Sequence, residues 1–533
     1  MAGRARVITA DEAAALVDDG ATVTVSSSSG LACPDAVLAA IGRRFRASGH
    51  PRQITSIHPI AAGDMHGIKG IDHLAQRGLL ARVVAGSYPS GPSSMPSPEI
   101  WRMIGANEVA AYNVPSGILF DMHHEVAAKR PGVLTQVGID TFVDPRRNGC
   151  KMNAAASEDI VRVVDFAGEE WLHFRNFVPD VAIIRATTAD EWGNLSMEHE
   201  GAYLGVVDQA LAARNSGGFV IAQVKRLTAG GSIPTQRVHV PSTLVDYIVV
   251  DPGQWQTTHT EYDPAISGET RRSLSDFPPL AWSNDLVIAR RATQELADGD
   301  VVNLGFGIAA IVPRVLLAQG RTDAVTWAIE QGPVGGIPLT DFAFGCAANA
   351  HAIVPSPQQF TYFQGGGFDC SLLSFLEVDG DGSVNVSRLS AKPHVTAGCG
   401  GFVDITANAR RIVFLGYFRA GGLDLAVAGG RLAIRREGRF AKFVPAVEHV
   451  TMSGREARRK GQDIMYVTER CVIRLLPQGL TVTEIAPGID LHRDVLGQAE
   501  VPLFVSERLR PMDAALFEHA PPRLAPAIAG DAA

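Results

Sequence analysis

Most features that would assign a function by spacing alone are missing from this chain. The six cysteines, Cys33, Cys150, Cys346, Cys370, Cys399 and Cys471, form no Cys-x-x-Cys pair, so neither a disulfide framework nor a zinc site follows from them. They read as reduced, packed side chains. No apolar run of 18 residues exists, so no membrane-spanning helix is expected. The first twenty residues hold no apolar signal core, and a cytoplasmic location is expected. Positive charge is not in excess: 48 Lys and Arg stand against 56 Asp and Glu, which speaks against a nucleic-acid partner. The adjacent His123 and His124 point to different faces of one element and read as packing or surface groups, so no metal site is expected. The three-glycine dinucleotide fingerprint is absent too, because Gly305-Phe-Gly307 continues as Ile308-Ala-Ala-Ile. That argues against a nucleotide-dependent oxidoreductase.

Glycine, in contrast, is plentiful: 54 of 533 residues, about 10% against roughly 7% in ordinary proteins, with no Gly-X-Y period. Apolar residues reach 46%, enough for a sizeable core, and the length suggests two to four domains. The question is where the glycines sit.

The chain repeats itself once. Thr9-Ala-Asp-Glu12 is a capping box that starts a helix, and Asp19-Gly20 stops it. The strand Ala21–Val25, a small-residue loop Ser26–Gly30 and a Pro34-led helix through Ile41 follow. The same five-part order returns at an offset of 279: a helix from Asn284, the stop Asp298-Gly299, the strand Val301–Leu304, the loop Gly305–Ile308 and the Pro313-led helix. Val83–Gly86 and Trp327–Gly332 read as a second echo. Asp190–Leu195 and Asp379–Val386 read as matching hairpins.

The segment 252–279, with Pro252, Pro264, Pro278 and Pro279, reads as a linker. The expected fold is therefore α/β. It has two similar open domains with largely parallel sheets, 1–251 and 280–519, and a disordered tail at 520–533. Ligands on such sheets lie at the carboxyl ends of the strands, and the glycine loops fall there.

Trp327-Ala-Ile-Glu330-Gln331-Gly332 carries the sharpest chemical signal. Glu is a poor strand residue, so an apolar strand that ends on Glu and then turns on glycine reads either as a solvent-exposed strand end or as a displayed nucleophile or base. Gly305-Phe-Gly307 is either a tight turn or an anion cradle. Gly365–Gly367 and Gly398-Cys-Gly400-Gly401 add two more clusters, suited to an extended anionic cofactor or an oxyanion. Cys399 lacks an assignable His or Asn partner and is a weak nucleophile candidate.

Taken together, these residues resemble the class I coenzyme A-transferases of the long single-chain acetate, propionate or 3-oxoacid type. The resemblance runs from about Val7 to about Arg508. Glu330-Gln-Gly-Pro-Val-Gly335-Gly336 is similar to the family's Glu-x-Gly nucleophile segment, and Asn303-Leu-Gly-Phe-Gly-Ile308 to its coenzyme loop. Gly365–Asp369, Val384–Ser387 and Gly398–Phe402 match in order, as do Pro131–Thr135, Thr141–Arg146 and Asp190–Leu195 in the first half.

The resemblance implies a fold of two α/β halves with the active site between them. The first half would take the acyl or carboxylate side, and the second the catalytic Glu and coenzyme. The implied reaction is a ping-pong transfer of coenzyme A from an acyl-CoA to a free carboxylic acid. It runs through a glutamyl-CoA thioester on Glu330, with coenzyme A as co-substrate and no permanently bound cofactor. A homodimer or homotetramer is implied as well. Gly400 or Gly401 maps to the oxyanion amide. Gly305, Phe306, Gly307, Ile308, Gly366, Asn385 and Gly398 map to the coenzyme side, and Ser28, Ser29 and Gly30 to the substrate pocket.

Two departures fall on the acyl side. Ser116 in Pro115-Ser-Gly117 stands where the family has an oxyanion-binding Gln. Ser26–Ser29 replaces a loop usually rich in Gly and Phe. A third, Ala309, stands where a Pro usually follows the coenzyme loop. A polar, Ser-lined pocket would favour hydroxylated, keto or dicarboxylic acids. The alternative reading is an acyl-CoA hydrolase on the same scaffold, followed by a non-catalytic coenzyme A-binding subunit. Lys225, Arg226, Arg388 and Lys392 neighbour the motifs and read equally as coenzyme phosphate ligands or ordinary surface charges.

Overall fold

A computed structural model describes residues 5–519; the tail expected at 520–533 lies outside the described residues. Two large sheets organise the molecule. The first has nine strands. Eight run in the order 6–8, 247–250, 219–228, 181–190, 22–25, 54–58, 80–85 and 110–113, and Leu195–Ser196 joins as a hairpin partner of Val181–Asp190. Its main path is parallel throughout. The second has ten strands, parallel in the middle, antiparallel in the next two pairings on each side, and parallel again at the terminal pair of Gly479–Ile485 with Phe504–Pro511.

The duplication is explicit in strand order. In the first sheet, Tyr247–Val250, Phe219–Thr228, Val181–Asp190, Thr22–Val25 and Ile54–His58 lie side by side. In the second, Asp463–Val467, Arg411–Leu415, Cys370–Ser374, Val301–Leu304 and Thr326–Ala328 lie in the same order. One expectation needs correction. The counterpart of Thr326–Ala328 is Ile54–His58, since each pairs with the strand that the 279-residue repeat matches. Val83–Gly86 belongs to the next strand over, Leu80–Ala85. Short apolar strands look alike in sequence, and only their pairing separates them.

Local signals act as their chemistry dictates. Thr9 and Glu12 form the reciprocal capping box. The helix expected to Ile41 runs over Asp35–Ser48 and stops on Gly49, whose φ of 75° ends it at no steric cost. The two hairpins share one device. The Asp190 carboxylate accepts the N–H groups of Trp192 and Asn194, and the Asp379 carboxylate accepts those of Asp381 and Ser383. Each hairpin follows equivalent strands, Val181–Asp190 and Cys370–Ser374.

Between the two sheets' residues, the segment 252–279 contains one short 3₁₀ turn, Leu274–Asp276, and no strand. The halves also meet directly. Phe120 faces Phe360 with ring centroids 5.5 Å apart, the Phe142 N–H donates to Val450 O, and Ser453 Oγ donates to Asp140 at 2.6 Å. Among the described residues, no helix is long and apolar enough to cross a membrane.

Leu372 is fully buried in the strand that links Val301–Leu304 to Arg411–Leu415. Leu372→Ala is expected to destabilise the protein by about 2–5 kcal/mol, read as a fall in the urea-unfolding midpoint.

Candidate active site

The strand Thr326–Ala328 stops two residues short of Glu330. A tight turn then displays the carboxyl: the Gly332 N–H donates to Ile329 O at 2.9 Å and the Ile329 N–H to Pro333 O at 3.0 Å. Gly332 has φ 125°, and a Cβ there would overlap Val354 O, so the turn requires glycine.

Glu330 is half-buried. Burial pushes its carboxyl up to about 7, against which hydrogen bonds from Gln331 and the Gly401 N–H pull downward. Gln331 Nε2 lies 3.3 Å from Glu330 Oε1. Gly401 lies against Oε2 so closely that a Cβ there would overlap it.

The segment 397–401 belongs to the second half and docks on the first. The Tyr88 N–H donates to Ala397 O at 2.7 Å, the Gly400 N–H to Gly86 O at 2.8 Å and the Ser116 N–H to Gly400 O at 2.9 Å. The Cys399 N–H donates to Asn113 Oδ1 at 2.9 Å. Gly86 directly follows the strand Leu80–Ala85 and Asn113 ends its parallel neighbour, so the joint sits at the carboxyl edge of the first sheet. Of the two amides mapped to the oxyanion, that of Gly400 is already given to Gly86 O, and that of Gly401 faces Glu330.

One turn further, fully buried Asp404 accepts the Gly117 N–H at 3.0 Å and Gln364 Nε2 at 3.0 Å. Gln364 also donates to Asp121. Burial pushes Asp404 up to about 7 and Asp121 up to about 6, and the charge of Glu330 adds to the rise of Asp404.

Ser116 opens the helix Ser116–Ala127, fully buried, and its hydroxyl has no hydrogen-bond partner among the described residues. In the serine loop, Ser26 Oγ accepts the Arg185 N–H and Ser27 Oγ donates to Ser29 O. Only Ser28 reaches across, with Oγ 3.3 Å from Gln331 Nε2. Ser29 is exposed at φ 54°, and Gly30 is pressed against Thr258.

On the other side, the Gly305 N–H donates to Leu372 O and Ser374 Oγ to Phe306 O. Phe306 is 67% exposed, with its ring edge-on to Phe344 at 5.2 Å; Gly307 has φ 84° and Ile308 is partly buried.

Three coenzyme-side candidates have their polar groups or their space already taken. The Gly366 N–H donates to Phe363 O, and the residue packs on the Asn408 backbone. The Asn385 amide donates to Glu377 and to Arg388 O while its oxygen accepts the N–H groups of Ser387 and Arg388. Gly398, at φ 94°, lets the chain pass the Asn113 side chain. In this structure the contacts of these three residues brace their own loops.

Cys399 is buried, and its thiol is held well above the ordinary value by burial. His123 is a packed group whose ring nitrogens lie 2.8 Å from Thr24 Oγ1 and 2.6 Å from Leu119 O. Among the described residues, no three His, Cys, Asp or Glu side chains cluster to hold a metal. Sequence reasoning quoted Gln331 only as part of a motif and missed Asp404, Asn113 and Gln364. The contacts that bring them to the joint, Asn113 with Cys399, Asp404 with Gly117 and Gln364 with Asp121, each span more than 200 residues, and no spacing rule reaches that far.

A half-buried carboxyl just past a strand end, set where two similar α/β halves meet, marks a duplicated α/β architecture with a candidate site at the joint. Comparison with known proteins gives the family. The coenzyme A transferase family model matches residues 7–251. A caffeate CoA-transferase of Acetobacterium woodii is 39% identical over 96% of this chain and 97% of its own. The acetate CoA-transferase YdiF of Escherichia coli O157:H7 is 37% identical over 97% and 96%. A crystal structure of the latter, described as a thioester complex with CoA, superposes with a TM-score of 0.89 at 35% identity over 98% of both chains. The chain belongs to the coenzyme A-transferase family and is a CoA-transferase.

Two outcomes follow from the geometry. Gly401→Ala puts a methyl group where Glu330 Oε2 sits; kcat is expected to fall about 10²–10³-fold in steady-state assays, with circular dichroism unchanged. The second concerns stability. The folded carboxyl titrates near 7, above its ordinary value of 4.5, so its ionisation costs stability that accumulates between those pH values. Glu330→Gln removes that cost. The variant should match the wild type at pH 4 and exceed it by about 1–3 kcal/mol at pH 8 in chemical denaturation.

Proposed function

We propose that the chain transfers coenzyme A between carboxylic acids by a ping-pong route through Glu330. The observation that carries this reading is the Glu330 carboxyl itself: half-buried at the joint of the halves, with Gln331 Nε2 3.3 Å from Oε1 and the Gly401 backbone packed against Oε2.

In the first half-reaction a Glu330 oxygen attacks the thioester carbonyl of acyl-CoA. The carbon–sulfur bond breaks, and the thiolate leaves an acyl-glutamyl anhydride. The thiolate then attacks Glu330 Cδ, the anhydride carbon–oxygen bond breaks, and the first acid departs as its carboxylate. The enzyme now holds a glutamyl-CoA thioester. An acceptor carboxylate reverses these steps, leaves as the new acyl-CoA and restores the Glu330 carboxylate. No net proton or electron moves, and the thioester bond energy is retained. Water must stay out, since both intermediates would hydrolyse. In this reading the acyl group faces the 1–251 unit and coenzyme A the 280–519 unit.

For the acid, the reading is a short hydroxylated, keto or dicarboxylic acid, supported by the Ser28 hydroxyl beside Gln331 and the Ser116 hydroxyl, unpartnered among the described residues. Relatives named for caffeate and acetate make these two acids the first comparators. A kcat/KM highest for acetate or propionate would overturn the polar-acid reading.

Three kinetic outcomes test the route. Double-reciprocal plots should be parallel. Glu330→Ala should abolish transfer, and acyl-CoA loss should require an acceptor acid; equal loss without one would make the enzyme a hydrolase. The nucleophile must be ionised, so kcat/KM for acyl-CoA should fall about tenfold per pH unit below about 7.

A further inference from the structure

Gln331 is nearly fully buried beside the nucleophile, and its side chain touches both halves. Nε2 lies 3.3 Å from Glu330 Oε1 and 3.3 Å from Ser28 Oγ, so its two N–H groups have one partner in each half. The orientation of the amide is fixed by chemistry: an ionised carboxylate accepts only, so nitrogen and not oxygen must face Glu330.

The side chain has little freedom. Gly345 presses on it so closely that a Cβ there would come within 2.8 Å of its Cγ and Cδ. Its backbone carbonyl accepts Ser356 Oγ at 3.2 Å. Ser28 is equally fixed, exchanging both backbone hydrogen bonds with Leu31 at 2.9 Å. The Gly401 backbone packs against the opposite oxygen of Glu330, Oε2. The expected side-chain donor position is filled by Ser116, whose hydroxyl bonds to nothing among the described residues.

We propose that the Gln331 amide, aimed by Ser28, is an oxyanion donor for the steps in which Glu330 Cδ is the carbon under attack. The proposal rests on the glutamyl route set out above. When the thiolate attacks the anhydride at Cδ, the carbonyl oxygen kept by Glu330 takes on negative charge. The same oxygen does so when the acceptor acid attacks the glutamyl thioester. A donor already in place stabilises that charge without rearrangement. The Ser28 contact gives the first half a direct part in this step. A shift of the Ser26–Gly30 loop on acid binding would re-aim the donor.

Gln331→Met keeps the volume and removes the donor. The expected result is a kcat lower by about 10²–10³-fold with KM for acyl-CoA unchanged. In enzyme labelled with ¹³C at glutamate Cδ, the glutamyl-CoA carbonyl stretch should move to higher wavenumber, which a purely structural role would not produce. Ser28→Ala, which leaves Gln331 in place, should give a smaller kcat loss and a smaller shift in the same direction, and it serves should the Met variant fail to fold. An unmoved carbonyl band, or a wild-type kcat in Gln331→Met, overturns the donor role alone. Absence of the glutamyl-CoA band in the wild type overturns the glutamyl route itself.

Discussion

Removing a carboxyl group from water is expensive, and at Glu330 the surrounding structure limits that cost while keeping the group reactive. Burial raises its proton affinity to about 7, and two N–H donors, from Gln331 and Gly401, keep the ionised form accessible near neutral pH. A carboxylate with fewer donors would stay protonated and inert. One in open water would be ionised but weakly nucleophilic, and its anhydrides and thioesters would hydrolyse. Many of the packing choices around the strand Thr326–Ala328 follow from this balance. Glycine is required at 332 to turn the chain under Val354, and at 401 to let an amide approach the carboxyl oxygen.

The same constraint explains why the two halves interlock at this point. The amide at Glu330 belongs to a segment that is itself held by the first half, through Gly86, Asn113 and Ser116. Asp404 continues the joint one turn on by capping Gly117 at the start of a first-half helix. The environment of Glu330 is therefore set by both halves at once, although Glu330 itself belongs to the second. Duplication supplies two similar sheets, but only one is followed at the relevant strand by a carboxylate, two residues past its end. Its first-half counterpart runs from Ile54 to His58 and into Pro59.

Features that depend on local spacing were legible before any coordinates. The Thr9 capping box, the Val301–Leu304 strand, the alternation of helices and buried strands, and Glu330 at a strand end are all written within short windows. Legibility stopped where a residue's partner lies in the other half. Gly400 and Gly401 are indistinguishable in sequence, yet one amide is spent on Gly86 and the other meets Glu330. Gly366 and Asn385 carry the look of ligand loops because sharp turns use the same residues whether they hold a ligand or themselves. Gln331 stood in plain sight inside the motif, but its contact across the joint is with Ser28, 303 positions away. The mistaken pairing of Val83–Gly86 with Trp327–Gly332 has the same origin: strand adjacency is a long-range property.

The most direct test is to incubate the enzyme with acyl-CoA alone, quench with borohydride, digest and sequence the peptides by mass spectrometry. Glu330 acting as the covalent carrier predicts a single reduced glutamyl site, at residue 330, with activity lost in proportion to modification. Modification at any other carboxylate, or full inactivation with residue 330 intact, would contradict it.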